Sequence, residues 1–323
     1  MRSKIQTLAI ITFGFVWLTI SCAAQTGQVS IKVSSFQIDE RTDYVNVMRD
    51  EMPAIPQFSA VSKKAGYIRG YVKNVLGEPL TGAKLGLKSA RIYDSYAAAT
   101  AETDANGYYE IKIPLGGARF DYAGYTVKTN RGAAALGLHP ADGQLSESYA
   151  AESGGVENFV MLPYGIADAK DAINNPRYRA NYYGGTMLLR YFIAPPGQDP
   201  SDFGRMLASG SEIVITLAPV SLLADGNNFA RAFEIRKRVE DSSIGEFYIC
   251  NVPVGRYEMT VKQADGKPLK MKQKNPTDSV FGIQPAETSG SASLVFNPLS
   301  ADAKTATASR GNWTDLEIIV ERP

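Results

Sequence analysis

The sequence has a single histidine, His139, and this scarcity excludes several classes of enzyme. A zinc site built from two histidines and a glutamate cannot form. A serine hydrolase triad would need His139, yet the chain has no Gly-x-Ser-x-Gly elbow to supply the nucleophile. No Gly-rich phosphate loop lies between a strand and a helix either. We therefore expect no enzymatic activity and no cofactor, and we interpret His139 as a loop residue.

The sequence also has few cysteines and almost no net charge. The chain has two cysteines, too few for a disulfide framework, and Cys250 lies in an alternating strand pattern typical of a small core residue. Without Arg2 and Lys4 the 34 basic residues become 32, against 33 acidic residues. This balance gives no electrostatic reason to expect a nucleic acid partner.

The sequence also lacks an apolar run long enough to be a membrane anchor at its start. Leu8–Ile20 is apolar and follows Arg2 and Lys4. As a helix it would extend about 20 Å, too short for a bilayer core of about 30 Å. This pattern predicts a signal peptide over residues 1–21 and therefore an exported protein.

The residues after the apolar run allow two kinds of processing. Ser21-Cys22 resembles a bacterial lipobox, which implies that Cys22 is the lipid attachment site. Ala23, with no acidic residue directly after it, favours the outer membrane and its periplasmic face. The alternative is cleavage before Gln25, which would release a soluble periplasmic or secreted protein.

What the chain does contain is many turns and short alternating segments. It has 29 glycines and 17 prolines, and few long amphipathic patterns. Asn74–Leu80 and Asp104–Gly107 have the composition of turns. Period-two alternation predicts strands at Tyr67–Val72, Ala83–Leu87, Tyr109–Pro114, Tyr125–Thr129, Ala133–Leu138 and Val156–Leu162.

Two motifs in this region resemble a known family. The run Gly70–Ala83 and the run Thr103–Tyr109 are similar to the carboxypeptidase regulatory-like domain. That resemblance implies a transthyretin-like β-sandwich. It implies the accessory fold only, because the zinc ligands of a carboxypeptidase are absent and no catalytic residue carries over.

A second copy of the pattern is predicted in the last third of the chain. Glu240–Ile249 parallels Thr103–Ile111, and Asn251–Val261 continues it as strand, turn and strand. Further strands of this copy are predicted at Thr186–Ile193, Glu212–Ala218 and Leu316–Val320. The fold class is therefore predicted as all-β, with two tandem transthyretin-like or Ig-like antiparallel β-sandwiches.

The predicted domain order follows from these segments. A signal peptide (1–21) precedes a tether (22–65) with one short strand at Val29–Val33. The first sandwich covers 66–163 and the second covers 186–323. The linker between them (164–185) contains a helical turn near Ala167–Ile173 that ends at Pro176.

Carboxylate pairs offer little evidence for a metal or hydrolytic site. Glu102 with Asp104, and Glu240 with Asp241, lie beside predicted turns, where aspartate commonly accepts hydrogen bonds from the backbone. Asp104-Ala105-Asn106 resembles the start of a calcium loop whose remaining ligands are missing. We therefore expect turns and no metal.

Tyrosine is the residue type with a possible binding role. The chain has 17, with clusters at Tyr108-Tyr109, Tyr122 with Tyr125, and Tyr178 with Tyr182-Tyr183. Adjacent strand residues point to opposite faces, so one of each adjacent pair should be exposed. We single out Tyr108, Tyr125 and Tyr183 as candidate ligand-binding residues, against the alternative that they are ordinary strand tyrosines.

Three functions are compatible with these features. The first is a non-enzymatic envelope lipoprotein that acts as an accessory, adhesion or assembly module through protein contacts. The second is a carbohydrate-binding module of a polysaccharide uptake system, and the third a hydrolase with an unrecognised site. The expected partners are accordingly an envelope protein or a glycan, with the membrane bound through the lipid and no nucleic acid.

Overall fold

The computed structural model describes residues 32–89, 99–114, 116–129, 132–144, 147–222, 231–239, 244–277 and 280–323. Residues 31–323 form one compact unit. Its first strands are β1 Lys32–Ile38, β2 Tyr44–Asn46, β3 Tyr67–Asn74, β4 Lys84–Ser89, β5 Ala99–Glu102, β6 Tyr108–Lys112, β7 Gly117–Thr129, β8 Gly132–Gly137, β9 His139–Pro140, β10 Tyr149–Ala150, β11 Gly155–Val156 and β12 Phe159–Met161.

One α-helix, α1 (Ala169–Asn174), precedes the remaining strands of the described residues. These are β13 Gly185–Phe192, β14 Glu212–Leu222, β15 Arg231–Arg238, β16 Ile244–Val252, β17 Gly255–Gln263, β18 Lys270–Gln273, β19 Gly282–Gln284, β20 Glu287–Thr288, β21 Ser291–Val295 and β22 Leu316–Glu321. Short 3₁₀ helices lie at Arg179–Asn181, Pro200–Phe203 and Ala303–Thr305.

Strands β3 to β12 form an N-terminal sandwich of two sheets. One sheet has the order β10-β7-β4-β5, with β8 also paired to β7, and the other has the order β11-β3-β12-β9, with β6 on β3. Phe120 of the first sheet contacts Tyr109 and Phe159 of the second, with ring centroids 6.4 and 4.9 Å apart. The two sheets therefore face each other across an aromatic core.

Strands β13 to β22, joined by β1 and β2, form a C-terminal sandwich. Its sheets have the orders β1-β15-β14-β17-β21-β19 and β2-β16-β13-β22-β18-β20. Alternate side chains point inward. The first sheet buries Ile215 and Phe233 fully, and the second sheet buries Leu189 and Phe247 fully. Burial of each such side chain stabilises the fold by about 1.5–3 kcal/mol.

The same pairing pattern occurs in both sandwiches. In the N-terminal one, β3 pairs antiparallel with β6 and parallel with β12, while β4 lies between β5 and β7. In the C-terminal one, β13 pairs antiparallel with β16 and parallel with β22, while β14 lies between β15 and β17. The predicted all-β sandwich class is confirmed, with parallel pairs added to mainly antiparallel sheets.

The two predicted turns of the N-terminal sandwich are confirmed. The Asn74 side chain accepts hydrogen bonds from the backbone N–H groups of Leu76 and Glu78, and Gly77 has a φ of 83°. Asp104 Oδ1 accepts from the N–H groups of Asn106 and Tyr108. Asp104 thus caps a tight turn, as predicted, and this turn connects β5 of one sheet to β6 of the other.

The N-terminal strap, residues 32–46, lies on the C-terminal sandwich. Its first strand β1 pairs parallel with β15, and β2 pairs parallel with β16 on the other sheet. The strand predicted at Val29–Val33 begins in the structure at Lys32, and residues 29–31 lie outside the described residues. Part of the predicted tether is therefore folded, while the predicted domain boundaries stay predictions.

Lys237 holds the strap where it crosses from one sheet to the other. This side chain projects from β15 into the protein, and the residue is 1% exposed. Its ammonium donates to the carbonyl oxygens of Asp39, Glu40 and Thr42 at 2.6, 2.9 and 2.9 Å. The charge is thus solvated by backbone dipoles, as a buried cation requires.

The bridging loop, residues 296–315, joins the two sandwiches. It connects β21 to β22 but packs on the N-terminal sandwich, where the N–H of Ala135 donates to Ser300 O at 2.8 Å. The N–H of Ser309 donates to Leu138 O at 3.0 Å. A Cβ at Gly137 would lie only 2.5 Å from Thr307 O, so the close approach needs a glycine.

The predicted helical turn of the linker is confirmed as α1. Its N-cap is Asp168, whose side chain accepts from the N–H of Asp171 at 3.0 Å, and Pro176 follows its end. Within the described ranges, no helix is long and apolar enough to cross a membrane.

Candidate functional site

Tyr108 and Tyr125, two of the predicted ligand-binding tyrosines, lie on different sheets. Tyr108 is half-buried on β6, where its ring packs edge-on against Tyr71, 5.4 Å away. Tyr109 beside it is buried, as alternation predicted. Tyr125 lies on β7 of the opposite sheet, half-buried opposite Leu136. The two rings therefore do not form one site.

Tyr183, the third predicted ligand-binding residue, is buried, which corrects the expectation of an exposed ring. It is 4% exposed, and Tyr182 is 2% exposed. The alternation rule fails here because both residues precede β13 and do not belong to a strand. The Tyr183 hydroxyl contacts His139 Nδ1 at 2.7 Å, and the backbone carbonyl of Tyr183 accepts a hydrogen bond from Trp313 Nε1 at 2.8 Å.

His139 is also placed differently from the prediction. It lies in β9, paired with β12, and is 9% exposed, so it is a core residue and not a loop residue. Burial lowers its pKa from 6.5 to about 4, partly offset by the Asp142 carboxylate. The ring is therefore neutral at pH 7, with Nδ1 committed to Tyr183.

A linker cleft opens between α1 and the bridging loop, where the two sandwiches meet. Its volume of about 720 Å³ lies within the range of about 300–1,000 Å³ typical of small-ligand sites. Tyr178 and Leu299 line it with 46% and 52% of their surfaces exposed. Its charged and amide lining residues are Asp168, Lys170, Asp171, Asn174, Arg310 and Asn312.

The walls of the linker cleft are fixed by contacts between linker and loop. Arg310 pairs with Asp168 at 3.4 Å and with Asp171 at 3.9 Å. The N–H of Gly311 donates to Ala180 O at 2.9 Å, and a Cβ at Gly311 would lie 2.0 Å from Tyr182 O. These contacts form only in the tertiary fold, so no sequence pattern indicates that Tyr178 borders a cleft.

A carboxylate cluster forms in the N-terminal sandwich from residues that are dispersed in sequence. Oxygens of Asp142, Glu147 and Glu157 lie within 4.8 Å of one another. Glu157 is 4% exposed, whereas the other two carboxylates are exposed. The Tyr149 hydroxyl contacts Glu157 Oε2 and lies 2.9 Å from Glu147 Oε2. No sequence motif indicated this cluster.

The cluster retains a proton at neutral pH. Burial, reinforced by the carboxylates of Asp142 and Glu147, raises the Glu157 pKa from 4.5 to about 8. Burial and Glu157 also raise the pKa of Tyr149. The Tyr149 hydroxyl has one proton for two acceptors. A protonated Glu157 can donate to the Tyr149 oxygen, while Tyr149 donates to Glu147.

The cysteines and the second carboxylate pair complete the predicted candidates. Cys250 is fully buried on β16, which confirms it as a core residue, and burial raises its thiol pKa. Cys22, Glu240 and Asp241 lie outside the described residues. Glu102 is exposed on β5.

Comparison with known proteins gives only distant similarities. No family model matches the chain, and no curated protein matches it. The Bacillus anthracis TIE protein is 10% identical with a TM-score of 0.30, over 79% of this chain and 33% of that one. A streptococcal ancillary pilin is 13% identical with a TM-score of 0.23, over 80% of this chain and 62% of the pilin.

The major pilin of Streptococcus pyogenes is 8% identical with a TM-score of 0.22, over 81% of this chain and 98% of the pilin. The chain therefore spans a third of the TIE protein and less than two thirds of the ancillary pilin. TM-scores of this size carry no inference about function. The sandwich assignment rests on the strand pairing described above.

Proposed function

We propose that this protein is a non-enzymatic lipoprotein of the cell envelope that acts as an accessory, adhesion or assembly module through protein contacts. The observation that carries the proposal is the fusion of two sandwiches into one compact unit by the bridging loop. A rigid unit keeps separate contact surfaces at a fixed distance, which an assembly module requires. Such a unit also loses less conformational entropy of its own when a partner binds.

The chemistry of the described residues supports a non-enzymatic role. The single histidine of the chain is buried, neutral and bonded to Tyr183, so it is not available as a base for a nucleophile. The repeated pairing of β3 and β13 supports two copies of a carboxypeptidase regulatory-like sandwich. Such a sandwich resembles an accessory domain and contributes no catalytic residue.

Because the strap is folded, the tether between the proposed lipid and the folded protein is short. With Cys22 acylated, only the chain between Cys22 and Lys32 separates the lipid from β1. Fully extended, these residues reach about 35 Å at about 3.5 Å per residue. A free tether to residue 65 would be several times longer. The C-terminal sandwich is thus kept close to the membrane, which we propose is the periplasmic face of the outer membrane.

Replacement of Cys22 by serine should abolish lipid attachment. Cells fed radioactive palmitate should label the wild-type chain and leave the Cys22→Ser chain unlabelled. The variant should also move from the membrane fraction to the soluble fraction. Cys250→Ser is the matched control and should keep the label. A Cys22→Ser chain that keeps its label, or a wild-type chain that never acquires one, would contradict the anchor.

The partner is tested by cross-linking in intact cells. Lysine-reactive cross-linkers followed by peptide mapping should join the wild-type chain to one envelope protein at reproducible surface lysines. A chain with Cys22→Ser should lose most of these cross-links because it is no longer held at the membrane. Only intramolecular cross-links in the wild type, at native expression, would contradict the assembly role.

A second candidate function is favoured by one observation. The linker cleft exposes the Tyr178 ring beside amide and charged side chains. Aromatic rings that combine an apolar face with polar neighbours are common in sites for sugars and other amphipathic ligands. A carbohydrate-binding module of a polysaccharide uptake system is therefore the alternative proposal.

A further inference from the structure

We propose that the linker cleft binds a neutral oligosaccharide, with the Tyr178 ring as the platform on which one sugar ring stacks. The inference rests on the second of the two functions proposed above and gives it a specific site. It replaces the predicted set of Tyr108, Tyr125 and Tyr183, whose members lie on opposite sheets or in the core.

The apolar part of the cleft suits a sugar ring. Tyr178 is 46% exposed and Leu299 is 52% exposed, and both line the same cleft. Single exposed apolar side chains are common, but two of them in one concave surface with polar neighbours are typical of a ligand site. A pyranose has C–H groups on its faces and hydroxyls on its rim, so its face can pack on the tyrosine ring without loss of hydrogen bonds.

The polar lining matches the hydroxyl rim. Carboxylates accept hydrogen bonds, guanidinium groups donate them, and the side-chain amide of Asn174 does both. Each sugar hydroxyl likewise donates and accepts. Asp168 and Arg310 already pair with each other at 3.4 Å, so their side chains are held in place before a ligand arrives.

The charge balance of the cleft selects a neutral ligand. Two acidic residues, Asp168 and Asp171, are matched by two basic residues, Lys170 and Arg310. An anionic polysaccharide would meet as much repulsion as attraction at this surface. A neutral oligosaccharide needs no net charge, and its hydroxyls can bond to both signs.

The test uses an array of defined neutral oligosaccharides, followed by titration calorimetry with the best binder. The full mature chain should bind at least one of them. Tyr178→Ala should weaken that binding about tenfold or more, whereas Tyr178→Phe should keep it because the stacking ring remains. Phe192→Ala is the matched control, since Phe192 is an aromatic residue outside the cleft with 38% of its surface exposed, and it should bind like the wild type.

Each other result overturns the inference in a distinguishable way. Binding that is unchanged in Tyr178→Ala would reject the cleft but leave carbohydrate binding in place at another surface. A wild-type chain that binds no oligosaccharide would reject both the cleft as a sugar site and the carbohydrate-binding function. Asn174→Leu, at an exposed position on the rim, serves as a second variant if Tyr178→Ala fails to fold. It should also weaken binding, and unchanged affinity would count against the cleft.

Discussion

Replacing Glu157 with glutamine should remove a loss of stability that the wild-type protein shows as the pH rises. The folded-state pKa of Glu157 is raised from 4.5 to about 8, mainly by burial. The folded protein therefore holds this proton more tightly than the unfolded chain does. The stabilisation of the folded protein by this proton is fully present below pH 4.5. It is lost as the pH rises to 8, at about 1.4 kcal/mol per pH unit.

The measurement is urea unfolding of both proteins at pH 6.5 and pH 8. We expect the wild-type free energy of unfolding to fall by about 2 kcal/mol over this interval, and that of Glu157→Gln to stay nearly constant. Glutamine keeps the size of the side chain and can donate to Tyr149. Glu102→Gln, at an exposed carboxylate, should follow the wild type. Equal slopes for wild type and Glu157→Gln would show that Glu157 is ionised in the folded protein.

The interval avoids interference from His139, which acts in the opposite direction. Its folded-state pKa is lowered from 6.5 to about 4. Its contribution is therefore present above pH 6.5 and is lost as the pH falls towards 4. Below pH 6.5 the two groups oppose each other, so the stability of the wild type should change less between pH 6.5 and 4.5 than that of Glu157→Gln, which keeps only the His139 effect of the two.

Replacing Lys237 with methionine should destabilise the protein by about 3 kcal/mol. Hydrogen bonds to a charged donor contribute about 1.5–3 kcal/mol, and three carbonyl oxygens lose such a bond in the variant. Methionine matches the length of the lysine stem but cannot donate. The carbonyl oxygens of residues 39, 40 and 42 then lose their shared donor. Both strands of the N-terminal strap should loosen together.

Urea unfolding and hydrogen exchange check this prediction. Backbone amides of β1 and β2 should show the largest acceleration of exchange in Lys237→Met, because the strap loosens locally in addition to the loss of global stability. Lys267→Met is the matched control, because 77% of that lysine side chain is exposed, and it should change stability by less than about 0.5 kcal/mol. A Lys237→Met protein as stable as the control would show that Lys237 does not hold the strap.

The strands that the sequence predicted are those with regular alternation. The strands predicted at Tyr67–Val72 and Ala83–Leu87 correspond to β3 and β4, because apolar residues alternate on their buried faces: Ile68 and Val72 on β3, and Leu85 and Leu87 on β4. Strand β15 was missed for a specific reason. Phe233 and Ile235 alternate on its buried face, but the next inward residue is Lys237, which breaks the apolar period. A buried charge satisfied by distant carbonyls leaves no local signal.

The candidate sites were harder to predict because they depend on long-range contacts. The sequence predicts that Tyr183 is exposed, but in the structure Trp313 of the bridging loop contacts it. Tyr178, five residues earlier, stays exposed because the same loop leaves a cleft there. Glu157 acquires its high pKa from burial and from carboxylates ten and fifteen residues away in sequence. No local pattern contains this information.

Thermal unfolding of the mature chain is the most direct test of the central claim, that the two sandwiches form one rigid unit. We expect the wild-type protein to unfold in one cooperative calorimetric transition. Gly137→Val should separate it into two, because a Cβ at this position meets Thr307 O and Asn312 Nδ2 at 2.5 Å and displaces the bridging loop. Two separate transitions in the wild-type protein would contradict the claim and remove the main support for an assembly module.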